Sequence, residues 1–175
     1  MKNYVESKIR AIVDFPKKGI IFRDITTAVK DAKALEYMID FLTEQYKDKK
    51  IDYVAGIESR GFIFGAALAY KLGAGFTVIR KPGKLPADTI SQEYELEYGT
   101  DKIEMHVDAI EEGSNVLVVD DLLATGGTVG AAVKLIEKAK GNVIGAAFII
   151  ELTDLGGRNK LEGVEVTSMV QFEGE

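Results

Sequence analysis

The sequence predicts one α/β domain with a mostly parallel central sheet flanked by helices. Three observations carry this. Residues 116–119 form a continuous aliphatic run of the kind that lies buried on both faces of a parallel sheet. Further apolar runs start at 51, 75, 142 and 164, and segments with helical spacing separate most of them. Finally, 175 residues with 46% apolar content suit a single domain with a sizeable core.

Composition narrows the chemistry. There is no cysteine and one histidine, His106, so disulfides, thiolate metal sites and imidazole clusters are excluded. Any metal must arrive on oxygen ligands. A net charge of −6 argues against a broad nucleic-acid surface, so cations that serve an anionic ligand must be locally concentrated. The first residues carry Lys2, Glu6, Lys8 and Arg10 without an apolar signal core, and no run reaches membrane-spanning length. A soluble cytoplasmic chain with no membrane partner is expected.

In chain order, 3–13 has apolar residues at Val5, Ile9, Ile12 and Val13, which suggests a short amphipathic helix. Pro16 and Gly19 break it, and 20–25 reads as extended, closed by Thr26 and Thr27. Core packing is the plain reading of Phe22, and a surface ion pair that of Arg23 and Asp24; the other reading has Phe22 stacking on a flat ring. Residues 31–46 are helical, with Leu35, Met38, Ile39, Leu42 and Tyr46 on one face. A strand at 51–57 hands to Glu58, Ser59, Arg60 and Gly61, and then to a helix at 62–72. Such a strand-to-helix turn is an anion-binding geometry, and Arg60 adds a planar cationic fork. After a strand at 75–79, Arg80, Lys81 and Lys84 place three cations within five residues. Residues 91–98 and 102–107 alternate as a hairpin too long for a simple crossover, which reads as a lid.

Asp120 and Asp121 are expected at the carboxyl end of the central strand, where open α/β sheets hold ligands. Ala124, Thr125, Gly126, Gly127 and Thr128 then open a helix at 129–140. Free backbone N–H groups, the helix dipole and two threonine hydroxyls make a phosphate pocket there. The carboxylates would repel that phosphate, so they face sugar hydroxyls or a metal; phosphate plus diol is one ribose 5-phosphate. An ordinary crossover also carries glycine, but paired acids at a buried strand end are hard to explain structurally. No GK[ST] follows the glycines and no GxGxxG follows the first strand, so Walker and dinucleotide motifs are absent. A strand at 142–152, an irregular turn or short helix at 155–160 and an edge strand at 164–170 complete the chain.

VLVVDDLLATGGT closely resembles the phosphoribosyl pyrophosphate (PRPP) motif of the type I phosphoribosyltransferases. FPxxGIxFRDIT resembles the signature of the adenine-specific members, and RKPGKLP with YELEYGTDKIEMH resembles their mobile catalytic loop. The resemblance implies transfer of phosphoribose from PRPP to adenine, giving AMP and pyrophosphate. It implies a hood at 1–30 over the base, with Phe22 stacking, backbone groups near Ile21 and Arg23 reading the 6-amino group, and Leu152 packed against the ring. It implies a lid at 81–108 from which Glu97 and Tyr98 swing in, Glu97 acting as an acid toward the purine N7 as N9 attacks. Ala124 to Thr128 would hold the 5-phosphate, and Asp120 and Asp121 the ribose. Glu58, Ser59 and Arg60, with a cis bond between the first two, and Arg80, Lys81 and Lys84 would face the pyrophosphate, whose Mg2+ travels with PRPP rather than on protein ligands. A homodimer is implied as well. A 6-oxopurine transferase and a non-catalytic PRPP-binding regulator are the alternatives.

Overall fold

The aliphatic run at the middle of the sequence becomes the middle strand of a five-stranded, all-parallel sheet. A computed structural model describes residues 1–96 and 99–173. In chain order they form α1 (Lys2–Lys8), β1 (Arg10–Val13), β2 (Ile21–Asp24), α2 (Thr26–Val29), α3 (Ala32–Tyr46), β3 (Tyr53–Ile57), α4 (Gly61–Leu72) and β4 (Gly75–Ile79). Then follow β5 (Thr89–Glu95), β6 (Thr100–His106), β7 (Asn115–Leu123), α5 (Gly127–Lys138), β8 (Asn142–Leu152) and β9 (Val166–Phe172). The sheet order is β4-β3-β7-β8-β9, with two 3-10 turns, Thr153–Leu155 and Gly157–Lys160, between the last two strands.

Two apolar layers explain why the strands read as unbroken hydrophobic runs. Leu117, Val119, Ala147 and Ile149 pack with α3 and α4 on one face. Val116, Val118, Ala146 and Phe148 pack with α5 on the other, together with Ile103 and Met105 of the hairpin. Successive strand residues point to opposite faces, so a sheet covered on both needs apolar residues at every position. Asp31 caps α3 by accepting the Ala34 N–H at 3.0 Å, and pairs with Lys8 at 3.0 Å, which ties α1 to it.

Two expectations change. The helix expected over 3–13 stops at Lys8, and Arg10 to Val13 instead pairs antiparallel with β2, Arg10 opposite Asp24 and Val13 opposite Ile21. The β-branched Ile12 and Val13 suit the strand, and the partner lies beyond the Pro16–Gly19 turn, out of reach of any local pattern. The central strand also does not end at Val119: it runs through both aspartates to Leu123, because β8 continues alongside and pairs Asp120 with Phe148 and Leu123 with Glu151.

The segment expected to be a lid forms a hairpin, β5 against β6, in register from Thr89 with His106 to Glu95 with Thr100. Its base is stitched to the end of β4, the Arg80 N–H donating to Glu104 O at 2.9 Å and the Glu104 N–H to Arg80 O at 2.7 Å.

Candidate active site

The turn between β7 and α5 is the tightest part of the site. Gly126 has φ +81°, a left-handed conformation, and α5 begins at the next residue. A cavity of about 90 Å³ opens here, lined by Asp120, Ala124, Thr125, Gly126, Gly127 and Thr128 among others. Residues 124–128 thus come together around one small recess at a helix N-terminus, where first-turn N–H groups lack intrahelical partners. The backbone of Gly157 closes the other side. A Cβ on Gly126 would lie 2.4 Å from Gly157 O, and one on Gly157 would lie 2.3 Å from Ala124 O.

The aspartates sit where the strand's alternation falters. Val119 and Leu122, three residues apart, pack with the same core, so one step of the two-residue period is lost across Asp120 and Asp121. Asp121 is buried and accepts a hydrogen bond from Arg60 Nε at 2.5 Å. Asp120 Oδ1 accepts the Asp121 N–H at 2.8 Å. Burial, and then the neighbouring Asp121 charge, push the Asp120 carboxyl well above the usual carboxylate range.

The second strand-to-helix turn gathers the cations. The Glu58–Ser59 peptide is cis. The Glu58 side chain is only 8% exposed; it pairs with Lys84 at 2.9 Å and Arg80 at 3.3 Å and accepts the Lys81 N–H. Its burial opposes ionisation, but the hydrogen bonds from Lys84, the Lys81 N–H and Arg80 prevail and hold its pKa below the ordinary value. The Lys81 side chain points elsewhere, to Asp101 and to the Tyr94 hydroxyl at 2.9 Å, both on the hairpin. Every cation assigned to pyrophosphate therefore stands against a carboxylate: Arg60 on Asp121, Arg80 and Lys84 on Glu58, Lys81 on Asp101. The sequence reading gave Tyr94 and Asp101 no role, and Asp101 fell in the expected turn; the register of β5 and β6 sets the two opposite each other.

Of the residues expected to form a hood, Arg23 meets the end of β9. Phe22 packs edge-on against Phe15, with ring centroids 5.4 Å apart. The Arg23 guanidinium lies 4.1 Å from the centroid of Phe172, which is the register partner of Leu152. Ile21 pairs with Val13 at the turn end of β1 and β2. Asp24 fixes the hairpin's other end: it accepts from the Thr26 hydroxyl at 2.6 Å and from Arg10 Nη2 at 2.5 Å, and these bonds hold its pKa at about 2. Glu97 and Tyr98 lie outside the described residues.

A family model, the phosphoribosyl transferase domain, matches residues 26–170. The chain belongs to the phosphoribosyltransferase family. It is similar to the adenine phosphoribosyltransferase of Chlorobium luteolum, at 59% identity over 98% of this chain and 99% of that one. Among solved structures, that of adenine phosphoribosyltransferase from Thermoanaerobacter pseudethanolicus superposes with a TM-score of 0.95 at 54% identity, covering 98% of this chain and 100% of the other. The Saccharomyces cerevisiae adenine phosphoribosyltransferase, complexed with adenine and an imino-altritol bisphosphate, gives a TM-score of 0.91 at 39% identity over 97% of this chain and 98% of its own. The phosphoribosyltransferase match takes in both strand-to-helix turns, the cations and the hairpin, and begins two residues after β2 ends.

Proposed function

We infer that this protein is a purine salvage enzyme that transfers the 5-phosphoribosyl group of PRPP to adenine, yielding AMP and pyrophosphate. The observation that carries this is full-length similarity, at 59% identity, to an adenine phosphoribosyltransferase; the two anion-binding turns flanking paired aspartates agree with it. The 5-phosphate seats on Ala124 to Thr128, Asp120 and Asp121 take the ribose hydroxyls, and C1 is left open toward the hood. Positive charge develops on the ribose as pyrophosphate departs, so catalysis is mainly positioning and electrostatic stabilisation. Glu58 and Ser59 shape the pyrophosphate turn, and Arg60, Arg80, Lys81 and Lys84 exchange their carboxylate partners for its oxygens.

Among the described residues no group of three or more Asp, Glu, His or Cys side chains could hold a metal. Asp121 and Glu58 are already engaged by cations. Magnesium carried by PRPP would supply neutralisation of the leaving charge, alongside Arg60, Arg80, Lys81 and Lys84.

Phe22 stacks on adenine, Leu152 packs its edge, and backbone carbonyls near Ile21 and Arg23 accept from the 6-amino group. A carbonyl acceptor disfavours a 6-oxo purine, which would leave it unpaired. Adenine loses one proton on becoming the base of a nucleotide. Glu97 therefore takes the N7 proton as the N9–C1 bond forms and returns it in reverse, a change from a purely acidic role. Tyr98 and the rest of the 81–108 lid exclude water. The reading extends to a cytoplasmic homodimer: no helix among the described residues is long and apolar enough to cross a membrane, and Ile63, Tyr70 and Phe76 leave apolar side chains exposed on α4 and β4. The test is product identification with PRPP, Mg2+ and each of adenine, hypoxanthine, guanine and xanthine. AMP should form fastest; faster turnover of any 6-oxopurine overturns the assignment.

A further inference from the structure

Glu151 is a charged residue at the end of a strand that is otherwise apolar, and it is only 4% exposed. A carboxylate is placed so deep only with partners, and this one has four contacts. Arg158 Nε donates to Oε1 at 2.6 Å and Arg158 Nη2 to Oε2 at 2.8 Å, a two-point fork; Gln171 donates at 3.1 Å, and the Ser168 hydroxyl also donates. Arg158 Nη1 reaches on to Val166 O at 3.0 Å. The network thus locks the Gly157–Lys160 turn to β8 and β9.

That turn is the wall of the phosphate recess. Gly157 abuts Ala124 and Gly126 backbone to backbone, and Lys160 O lies 3.5 Å from where a Cβ on Gly130 would stand. Glu151 is also the register partner of Leu123, the residue from which the recess loop departs. One buried acid therefore faces the loop's point of departure while its guanidinium partner holds the wall against the loop's apex. Neither side chain appears among the residues lining the recess.

We propose that Glu151 and Arg158 are positioning residues for the 5-phosphate of PRPP: their fork sets the distance between the Gly157 turn and the loop at 124–128, and so the shape of the phosphate seat. This rests on the assignment of 124–128 as that seat. A fork fixes both direction and distance, which a single point charge does not.

The experiment compares the full-length protein with Arg158→Met, Arg158→Lys and Glu151→Gln, measuring KM for PRPP and adenine, kcat, melting temperature, and inhibition by ribose 5-phosphate and by pyrophosphate. Arg158→Met should raise KM for PRPP and the inhibition constant of ribose 5-phosphate by about tenfold or more. The adenine KM, kcat at saturating PRPP and the pyrophosphate constant should stay within about threefold. Arg158→Lys, which keeps the charge but loses the fork, should fall between, and it carries the test should the Met or Gln variant fail to fold. Lower melting temperature with unchanged ribose 5-phosphate inhibition, or equal weakening toward ribose 5-phosphate and pyrophosphate, overturns the proposal. The double variant Thr125→Ala/Thr128→Ala separates the two levels. If it leaves ribose 5-phosphate binding unchanged, the seat assignment itself fails; if it weakens binding while Arg158→Met does not, only the positioning role fails.

Discussion

Replacing Gly126 by alanine tests the phosphate seat with a magnitude that the structure supplies. The substitution has two costs. At φ +81° a side chain is in the left-handed region, worth about 1–2 kcal/mol. The new Cβ would also stand 2.4 Å from Gly157 O, where ordinary contact begins at 3.4 Å, so the loop and the turn must part by 3.4 − 2.4, or 1.0 Å. The obstacle is backbone on both sides, and no side chain can rotate away. A displacement of this size in a binding loop costs about 10²-fold, or roughly 2.7 kcal/mol of PRPP binding. Gly163→Ala is the control: its φ is +79° and a Cβ there meets nothing within 4 Å. Both variants should lose about 3–8 °C in melting temperature from strain. Only Gly126→Ala should raise the PRPP KM, by about two orders of magnitude, with adenine KM little changed. If Gly126→Ala shows the melting shift of its control and a PRPP KM within threefold of the parent, the seat is not at this turn.

Other outcomes follow from the same geometry. Asp121→Asn strips Arg60 of its charged partner and should raise the PRPP KM about tenfold, whereas Glu97→Ala should lower kcat by about 10²-fold or more with small KM changes; negligible effects from both in steady-state kinetics would remove them from the site. Asp24→Asn loosens the bonds that join β1, β2 and α2 and should raise the adenine KM more than the PRPP KM; the reverse order in paired titrations would detach the hood from base binding. Glu151 has a folded pKa of about 2, below its ordinary 4.5. Its stabilisation is therefore complete above the unfolded value and is lost as pH falls from about 5 toward 2, a contribution of about 3 kcal/mol. Urea unfolding across that range should fall less steeply for Glu151→Gln than for the parent, and parallel curves would refute the linkage.

The parts legible from sequence are those whose patterns are local. The β4 and β8 boundaries came out as expected because the apolar runs begin at Gly75 and Asn142 and close at Ile79 and Leu152, and α3 because Met38, Ile39, Leu42 and Tyr46 recur at helical spacing. What escaped depends on partners distant in the chain. Arg10 to Val13 is a strand only because β2 lies beside it, and the central strand outruns its apolar stretch only because β8 does the same. Glu58 and Asp121 were read as site residues, but their pairing with the cations, like that of Asp101, has no periodic signature, since pairing across 22 or 61 residues follows from topology. Glu151 had one clue, a lone acid within an aliphatic run, and its meaning needed the position of Arg158.

The place of β1 and β2 in the chain bears on the proposed base site. Residues 1–25 precede the span shared across the phosphoribosyltransferases, and β1 with β2 forms a sheet of its own, hydrogen-bonded to none of the five central strands. On the proposed function, base reading is shared between this segment and Leu152 of β8, and Val5 and the Lys8–Asp31 pair root the segment in the main core. Rewriting the amino-terminal residues would then alter one part of the proposed base site while leaving the two strand-to-helix turns in place.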